Sequence, residues 1–269
     1  MAADHAPLEA RDVCVRYGDV TALTDVSVLV PEGKLTVLAG PNGSGKSTLL
    51  SALSRVLTPT GGSVLLDGRV ISQIPTREVA RSLGLLPQAP LVPEGMSVYD
   101  LVSRGRYPHQ GILKQWSDAD ECAVMSAITV TGLEALAGRL MQHLSGGQRQ
   151  RAFIAMTLAQ ETRTILFDEP TTFLDLRYQA EVMDLIDSLC RDHRRTIVVV
   201  LHDLNAALQH ADRLIFLKDG RIHSVLDDVQ ECSTDLIADV FETRVVRVDN
   251  PDTGRPAFLP RRHVRQAMP

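Results

Sequence analysis

Eight consecutive residues, Gly40-Pro41-Asn42-Gly43-Ser44-Gly45-Lys46-Ser47, have the composition needed to wrap a chain of phosphates, and Thr48 carries them into a helical pattern. Glycines let the backbone curl until its N–H groups face inward, and a helix starting at the end of the loop adds partial positive charge. Lys46 would then reach the β- and γ-phosphates, and the Ser47 hydroxyl would ligate Mg²⁺. A second metal contact is expected from Thr164-Ile165-Leu166-Phe167-Asp168-Glu169, an apolar run that ends in two acids. Asp168 is the candidate to hold Mg²⁺, directly or through water, and Glu169 to orient or polarise an attacking water. Alone, such an ending also fits a solvated acidic turn; the presence of Lys46 is what gives it chemical meaning.

Those groups need a scaffold. Lys34 to Ala39 reads as a buried strand running into the glycine loop, and Ser47 to Leu57 as the helix after it, ending before Pro59 and Gly61-Gly62. Ahead of them, Val13, Val15 and Tyr17, then Val26, Val28 and Val30, alternate as in a small antiparallel sheet, with turns at Gly18 and Pro31-Glu32-Gly33. From about Pro90 to Gln160 the β-branched runs disappear, and Val98 to Arg104, Ser117 to Val130 and Arg149 to Gln160 read as helices of an inserted subdomain. Strands return at Thr164 to Phe167, Thr196 to Leu201 and Arg213 to Leu217, separated by helical Tyr178 to Cys190 and Leu204 to His210. The β-α-β alternation predicts an α/β fold with a mostly parallel sheet flanked by helices. After residue 243 a hairpin around Asn250-Pro251-Asp252-Thr253-Gly254 and a basic tail with Arg261, Arg262 and Arg265 follow, which leaves 8–243 as the expected phosphate-binding unit.

Leu144-Ser145-Gly146-Gly147-Gln148 separates this chain from other phosphate-loop enzymes. Ser145 with two glycines is also a good helix cap, and both readings hold at once because such a helix start is itself suited to anions. With this pentapeptide the sequence resembles the ATP-binding cassette family of P-loop NTPases, from about Leu8 to about Gly220. The resemblance implies a head-to-tail homodimer in which Ser145, Gly146, Gly147 and Gln148 close over ATP held by the partner's phosphate loop. It also assigns Gln88, in Leu85-Leu86-Pro87-Gln88, to Mg²⁺ and the attacking water, His202 beside Asp203 to the γ-phosphate, Tyr17 to the adenine ring, and Asp175 to the dimer seam. Outside that resemblance, Gln88 is a polar residue ending a strand, His202 a structural histidine and Tyr17 a half-buried strand-end residue. Thr171-Thr172-Phe173-Leu174-Asp175 departs from the commonest family spelling, Ser-Ala-Leu-Asp.

Composition bounds the partners. With 28 basic and 33 acidic residues the net charge is −5, so no basic field calls for nucleic acid. The four cysteines form no CxxC pair, which suits a reducing compartment. The opening MAADHAPLEARD has no apolar core of a secretory signal, and no run approaches the roughly 20 apolar residues of a membrane span. The expectation is a peripheral protein at the cytoplasmic face of the membrane. The family then implies integral permease subunits, received near Ser97 to Arg106, and indirectly an extracytoplasmic substrate-binding protein. Gly105-Arg106-Tyr107-Pro108-His109, the Thr-Thr-Phe-Leu-Asp spelling and Asp249 to Pro256 look like the importer branch handling iron-siderophore complexes, haem or cobalamin. The alternative is a soluble cassette ATPase not coupled to transport, a class that usually carries two cassettes or a long inserted arm. A small-molecule kinase would have no use for Leu144 to Gln148.

Overall fold

Runs of alternating valines pair because each buries one face, and in the computed structural model, which describes residues 6–90, 94–111 and 116–261, they form the expected antiparallel sheet. β1 (Leu8–Tyr17) pairs with β2 (Val20–Val30), setting Val13 opposite Val26 and Leu8 opposite Val30. Its other edge takes β4 (Gly61–Leu66), which pairs with the short β5 (Arg69–Val70). Between them in sequence lie β3 (Leu35–Ala39) and α1 (Lys46–Leu53), the strand and helix that hold the glycine loop. α1 stops four residues before the expected Leu57 because Arg55 turns left-handed at φ 61° and the Leu57 N–H bonds back to the Ser51 carbonyl.

The chain continues through α2 (Thr76–Ser82), β6 (Leu83–Leu86), α3 (Val98–Ser103), α4 (Asp118–Val130), α5 (Gly146–Ala159), β7 (Thr164–Asp168), α6 (Leu176–Arg191) and β8 (Thr196–Val200). After these come α7 (Leu204–His210), β9 (Arg213–Lys218), β10 (Arg221–Leu226), α8 (Thr234–Phe241), β11 (Val245–Asp249) and β12 (Pro256–Pro260). The main sheet has the order β10-β9-β3-β8-β7-β6; β9 to β6 are mutually parallel and β10 is an antiparallel edge. Both faces are buried, and the period of two assigns residues to different cores. Val37, Phe167, Val199 and Phe216 face the core shared with α3 to α6, while Leu38, Leu166, Val198 and Ile215 face the one shared with α1 and the antiparallel sheet.

The helices of the inserted region start on their own caps. Ser97, Ser117 and Ser145 each form a reciprocal capping box with the residue three positions on. The turn at residues 104–109 is bound to two of those helices through Arg106, which is 4 % exposed. Its Nε donates to Asp120 Oδ1 at 2.9 Å, and its Nη1 to the Ala159 carbonyl at 2.7 Å and Glu161 Oε2 at 2.6 Å. Among the described residues no helix is long and apolar enough to cross a membrane. Cys190 and Cys232 are buried thiols, their pKa pushed up by burial to about 11 and about 12. The hairpin expected around Asn250 to Gly254 is β11–β12, and Arg262 and Arg265 of the basic tail lie outside the described residues.

Hydrogen bonding from Ser117, joined by Arg106, outweighs burial and lowers the Asp120 pKa to about 2. A carboxyl depressed in the folded state contributes stability above its unfolded pKa and loses it as pH falls through the folded value. Asp120→Asn should therefore cost about 3 kcal/mol at pH 7 by leaving Arg106 with a weaker set of buried partners. Urea titrations should show the gap to the parent narrowing as pH drops from about 4 toward about 2; a gap independent of pH would contradict this.

Candidate functional site

Parallel strands present their carboxyl ends on one side of the sheet, and ligands of such sheets bind there. In the order β3, β8, β7, β6 those ends deliver the glycine loop, His202, Asp168 with Glu169, and Gln88, four segments far apart in sequence. The result is a cleft of about 340 Å³ lined by Ala22, Asn42, Gly43, Gly45, Lys46, Ser47, Thr48, Glu169 and His202. A groove of about 590 Å³ lies elsewhere, between Gly132, Gln148, Arg151 and α6, and contains neither the loop nor Glu169. Volume does not mark the chemistry here; convergent polar groups do.

The loop holds its shape through glycine. Gly40 lies at φ 145°, and a Cβ there would stand 2.1 Å from the Leu217 carbonyl oxygen. Gly45, at φ 100°, caps α1, whose first turn carries no acid to oppose an anion. Lys46 Nζ donates to the carbonyls of Gly40 at 2.9 Å and Pro41 at 2.8 Å. Burial lowers the Lys46 pKa, against the pull of Glu169 and Asp168. Ser44, within the loop, is buried, and its hydroxyl has no partner among the described residues.

Ser47 Oγ donates to Asp168 Oδ1 at 3.1 Å, so two hard oxygen donors meet at the start of α1 and the end of β7. Burial raises the Asp168 pKa, and the Ser47 hydroxyl opposes the shift. Among the described residues no cluster of three or more His, Cys, Asp or Glu could hold a metal ion by itself. A serine hydroxyl and one carboxylate therefore fit Mg²⁺ of the kind that shares its shell with substrate phosphates.

Glu169 is 8 % exposed and sits at φ 53°, a left-handed conformation that side-chain-bearing residues adopt at a cost. Three side chains hold its carboxylate: Gln88 Nε2 donates to Oε2 at 2.5 Å, Thr172 Oγ1 to Oε2 at 3.0 Å, and His202 Nε2 pairs with Oε1 at 2.5 Å. Sequence reasoning placed Gln88, Glu169 and His202 but passed over Thr172, whose signal was its place three residues after the acid in a tight turn. It also passed over Ala22. Tyr17 does not line the cleft; it stands 52 % exposed at the end of β1, paired with Val20 across the hairpin turn.

The Ser145 segment is elsewhere. Ser145 Oγ accepts from the Gln148 N–H at 3.3 Å, and Gln148 Oε1 accepts from the Ser145 N–H at 3.1 Å. A Cβ on Gly147 would lie 2.5 Å from Tyr178 Cδ1, and one on Gly146 would lie 3.5 Å from Leu174. Asp175 caps α6 by accepting from the Tyr178 N–H at 3.1 Å. The two helix starts thus pack together, and none of Ser145 to Gln148 lines the Lys46 cleft.

The ABC transporter family model matches residues 23–172. The chain is 50 % identical over 244 residues to the probable siderophore transport system ATP-binding protein of Bacillus subtilis (strain 168), covering 91 % of this chain and 89 % of that one. Among solved structures it resembles an ABC transporter of metal-chelate type in an inward-facing conformation, with TM-score 0.83, 26 % identity, and 96 % and 98 % of the two chains covered. It also resembles a dimeric bacterial ABC transporter cassette, with TM-score 0.72, 29 % identity, and 81 % and 97 % covered.

Since the obstacle at Gly147 is the Tyr178 ring, Gly147→Ala should destabilise the fold by about 1–3 kcal/mol through overpacking. Combined with Tyr178→Ala, the loss should be smaller than the sum of the single variants. Urea denaturation of the four proteins measures this, and strictly additive losses would show that the ring is not what requires glycine.

Proposed function

The chain belongs to the ABC transporter family, as one of its ATP-hydrolysing subunits, and from that premise we propose that it drives an importer for ferric siderophores or related metal chelates. The observation that carries the reading is the separation of two anion-binding helix starts. Lys46 lies in a cleft with Glu169 and His202, whereas Ser145 lies outside it, on a helix start that packs against the start of α6. One nucleotide meets both if two copies pair head to tail, and the likeness to a dimeric cassette supports that arrangement. Ser145 Oγ uses a lone pair in its own cap, which leaves the hydroxyl proton to donate to a partner-held phosphate.

Lys46 and the loop from Gly40 to Thr48 bind the phosphates of ATP, and Ala22 closes the adjoining wall. Ser47 and Asp168 would hold Mg²⁺, which supplies neutralisation of phosphate charge. Glu169 accepts the proton of the attacking water or orients it, with Gln88, Thr172 and His202 fixing the carboxylate. Little covalent work falls to the protein, so rate comes from positioning and from charge held in place. Tyr17 is assigned to adenine and Asp175 to the seam between copies.

The chain would then sit at the cytoplasmic face of the membrane, bound to permease subunits that receive cargo from an extracytoplasmic binding protein. The region from Ser97 to Arg106 is the proposed permease contact, its turn fastened from below by Arg106. The siderophore assignment rests on the Bacillus subtilis relative and the metal-chelate type structure, both covered along most of their lengths.

Glu169→Gln should keep ATP binding and lower turnover at least ~100-fold, accumulating an ATP-bound dimer, because the cradle survives while the water loses its base. Gel filtration with ATP, run beside a phosphate-release assay, reads both effects, and near-normal turnover would refute the role. Lys46→Ala removes a charge-assisted contact and should weaken ATP binding by about 10- to 100-fold; unchanged affinity in a calorimetric titration would count against the cradle.

A further inference from the structure

The C-terminal hairpin has no part in the cleft described above, and it is bonded to two places: Arg247 and the Gly254 carbonyl meet Gln230 and Cys232, while the larger set of bonds meets one short helix, α7. Asn205, in the first turn of α7, accepts from the Phe258 N–H at 2.8 Å and donates to the Phe258 carbonyl at 3.2 Å. That reciprocal pair is the pattern by which one strand adds to another, here made by a side-chain amide on β12. Further along α7, Gln209 Nε2 donates to the Pro256 carbonyl at 3.2 Å. Its Oε1 accepts from Asn250 Nδ2 at 3.0 Å and from Thr253 Oγ1 at 2.8 Å. Arg255 Nη1 closes the far end, donating to the carbonyls of Leu208 at 3.1 Å and Ala211 at 3.0 Å. The Phe258 ring lies in the same core as Ala207 and Leu208 of α7.

α7 is joined to the catalytic sheet through a short connection. The Leu201 N–H is bonded to the Leu38 carbonyl on β3, and Asp203 already caps α7, its Oδ1 accepting from the N–H groups of Asn205 at 2.8 Å and Ala206 at 3.1 Å. His202 is the one residue between those two anchors. Its backbone direction is therefore set by β3 on one side and by the seating of α7 on the other, and its Nε2 meets Glu169 Oε1 at 2.5 Å. Seven residues make a helix too short to keep its own tilt, since helices of this length owe their stability to tertiary contacts. For α7 the hairpin supplies them on one side.

We propose that the hairpin β11–β12 is a positioning device for hydrolysis, in which Asn205, locked to the Phe258 backbone, fixes the seating of α7 and so the reach of His202 toward Glu169. The inference rests on the role given to His202 above. Asn205 is a positioning residue, since it does not line the Lys46 cleft and acts through the backbone of residues 202 and 203. A misplacement of about 1 Å is enough to lower a rate by up to ~100-fold while leaving substrate binding intact.

The test uses the full-length chain carrying Asn205→Ala, with steady-state ATP hydrolysis and the imidazole nitrogen resonances of ¹⁵N-histidine protein, His202 being assigned with His202→Gln. The expected result is a fall in kcat of about tenfold with KM for ATP within about twofold of the parent, together with a displaced His202 resonance. Asn205→Asp keeps the acceptor for the Phe258 N–H and places a negative charge where a helix N-terminus tolerates it, so it should fold as the parent does and show an intermediate loss. A His202 resonance that stays at its parental position in both variants overturns the inference, whatever kcat does, and so does a rise in KM alone. If His202→Gln itself leaves kcat undiminished, the assignment of His202 to hydrolysis fails first, which separates the two ideas.

Discussion

A carboxylate removed from water must be hydrogen-bonded or neutralised, because desolvation otherwise costs several kcal/mol. Glu169 meets that requirement with donors from three places: Gln88 after β6, Thr172 in its own turn and His202 after β8. The requirement reaches far into the fold. β7 has to lie between β6 and β8, all three have to run parallel, and their ends have to be level; the registers pairing Phe167 with Leu86 and Asp168 with Val200 provide this. The glycine loop follows β3 on the other side of β8, so the same strand order that satisfies Glu169 also brings Lys46 into its cleft.

Legibility in the sequence tracked how local each constraint is. The Gly40–Ser47 loop could be read because positive φ at Gly40, Gly43 and Gly45 leaves few residue types able to stand there. Ser145 could be read as a helix start because its cap partner, Gln148, is three residues away. The apolar run of β7 announced a strand buried on both faces, with two acids where it leaves the sheet. What stayed hidden depends on distant partners. β6 was legible only through its end near Gln88, since it is four residues long and contains Gly84, a weak strand signal; that glycine is needed because a Cβ would lie 2.9 Å from Thr162 Oγ1. Gly105 is required by the Met156 carbonyl, 2.2 Å from where its Cβ would be. α8 and the edge strand β10 were missed because their apolar residues count only once β9 is there to receive them.

The two halves of the proposed ATP site are built on different physical terms, and this bears on how they can work together. Ser145, Ser117 and Ser97 start their helices with capping boxes closed within four residues, so those helix ends keep their geometry whatever the rest of the molecule does. Arg106 then binds the turn of residues 104–109 to the start of α4 and the end of α5, the helix that Ser145 opens. A displacement applied at that turn would reach Ser145 through α5, whose cap is closed within its own first turn. Glu169 is the opposite case: its posture exists only while Gln88, Thr172 and His202 all keep their places. The half built on Ser145 is thus suited to move as a rigid piece, and the hydrolytic half to register whether neighbouring segments are seated, which is the division of labour a machine driven by nucleotide-dependent closure requires.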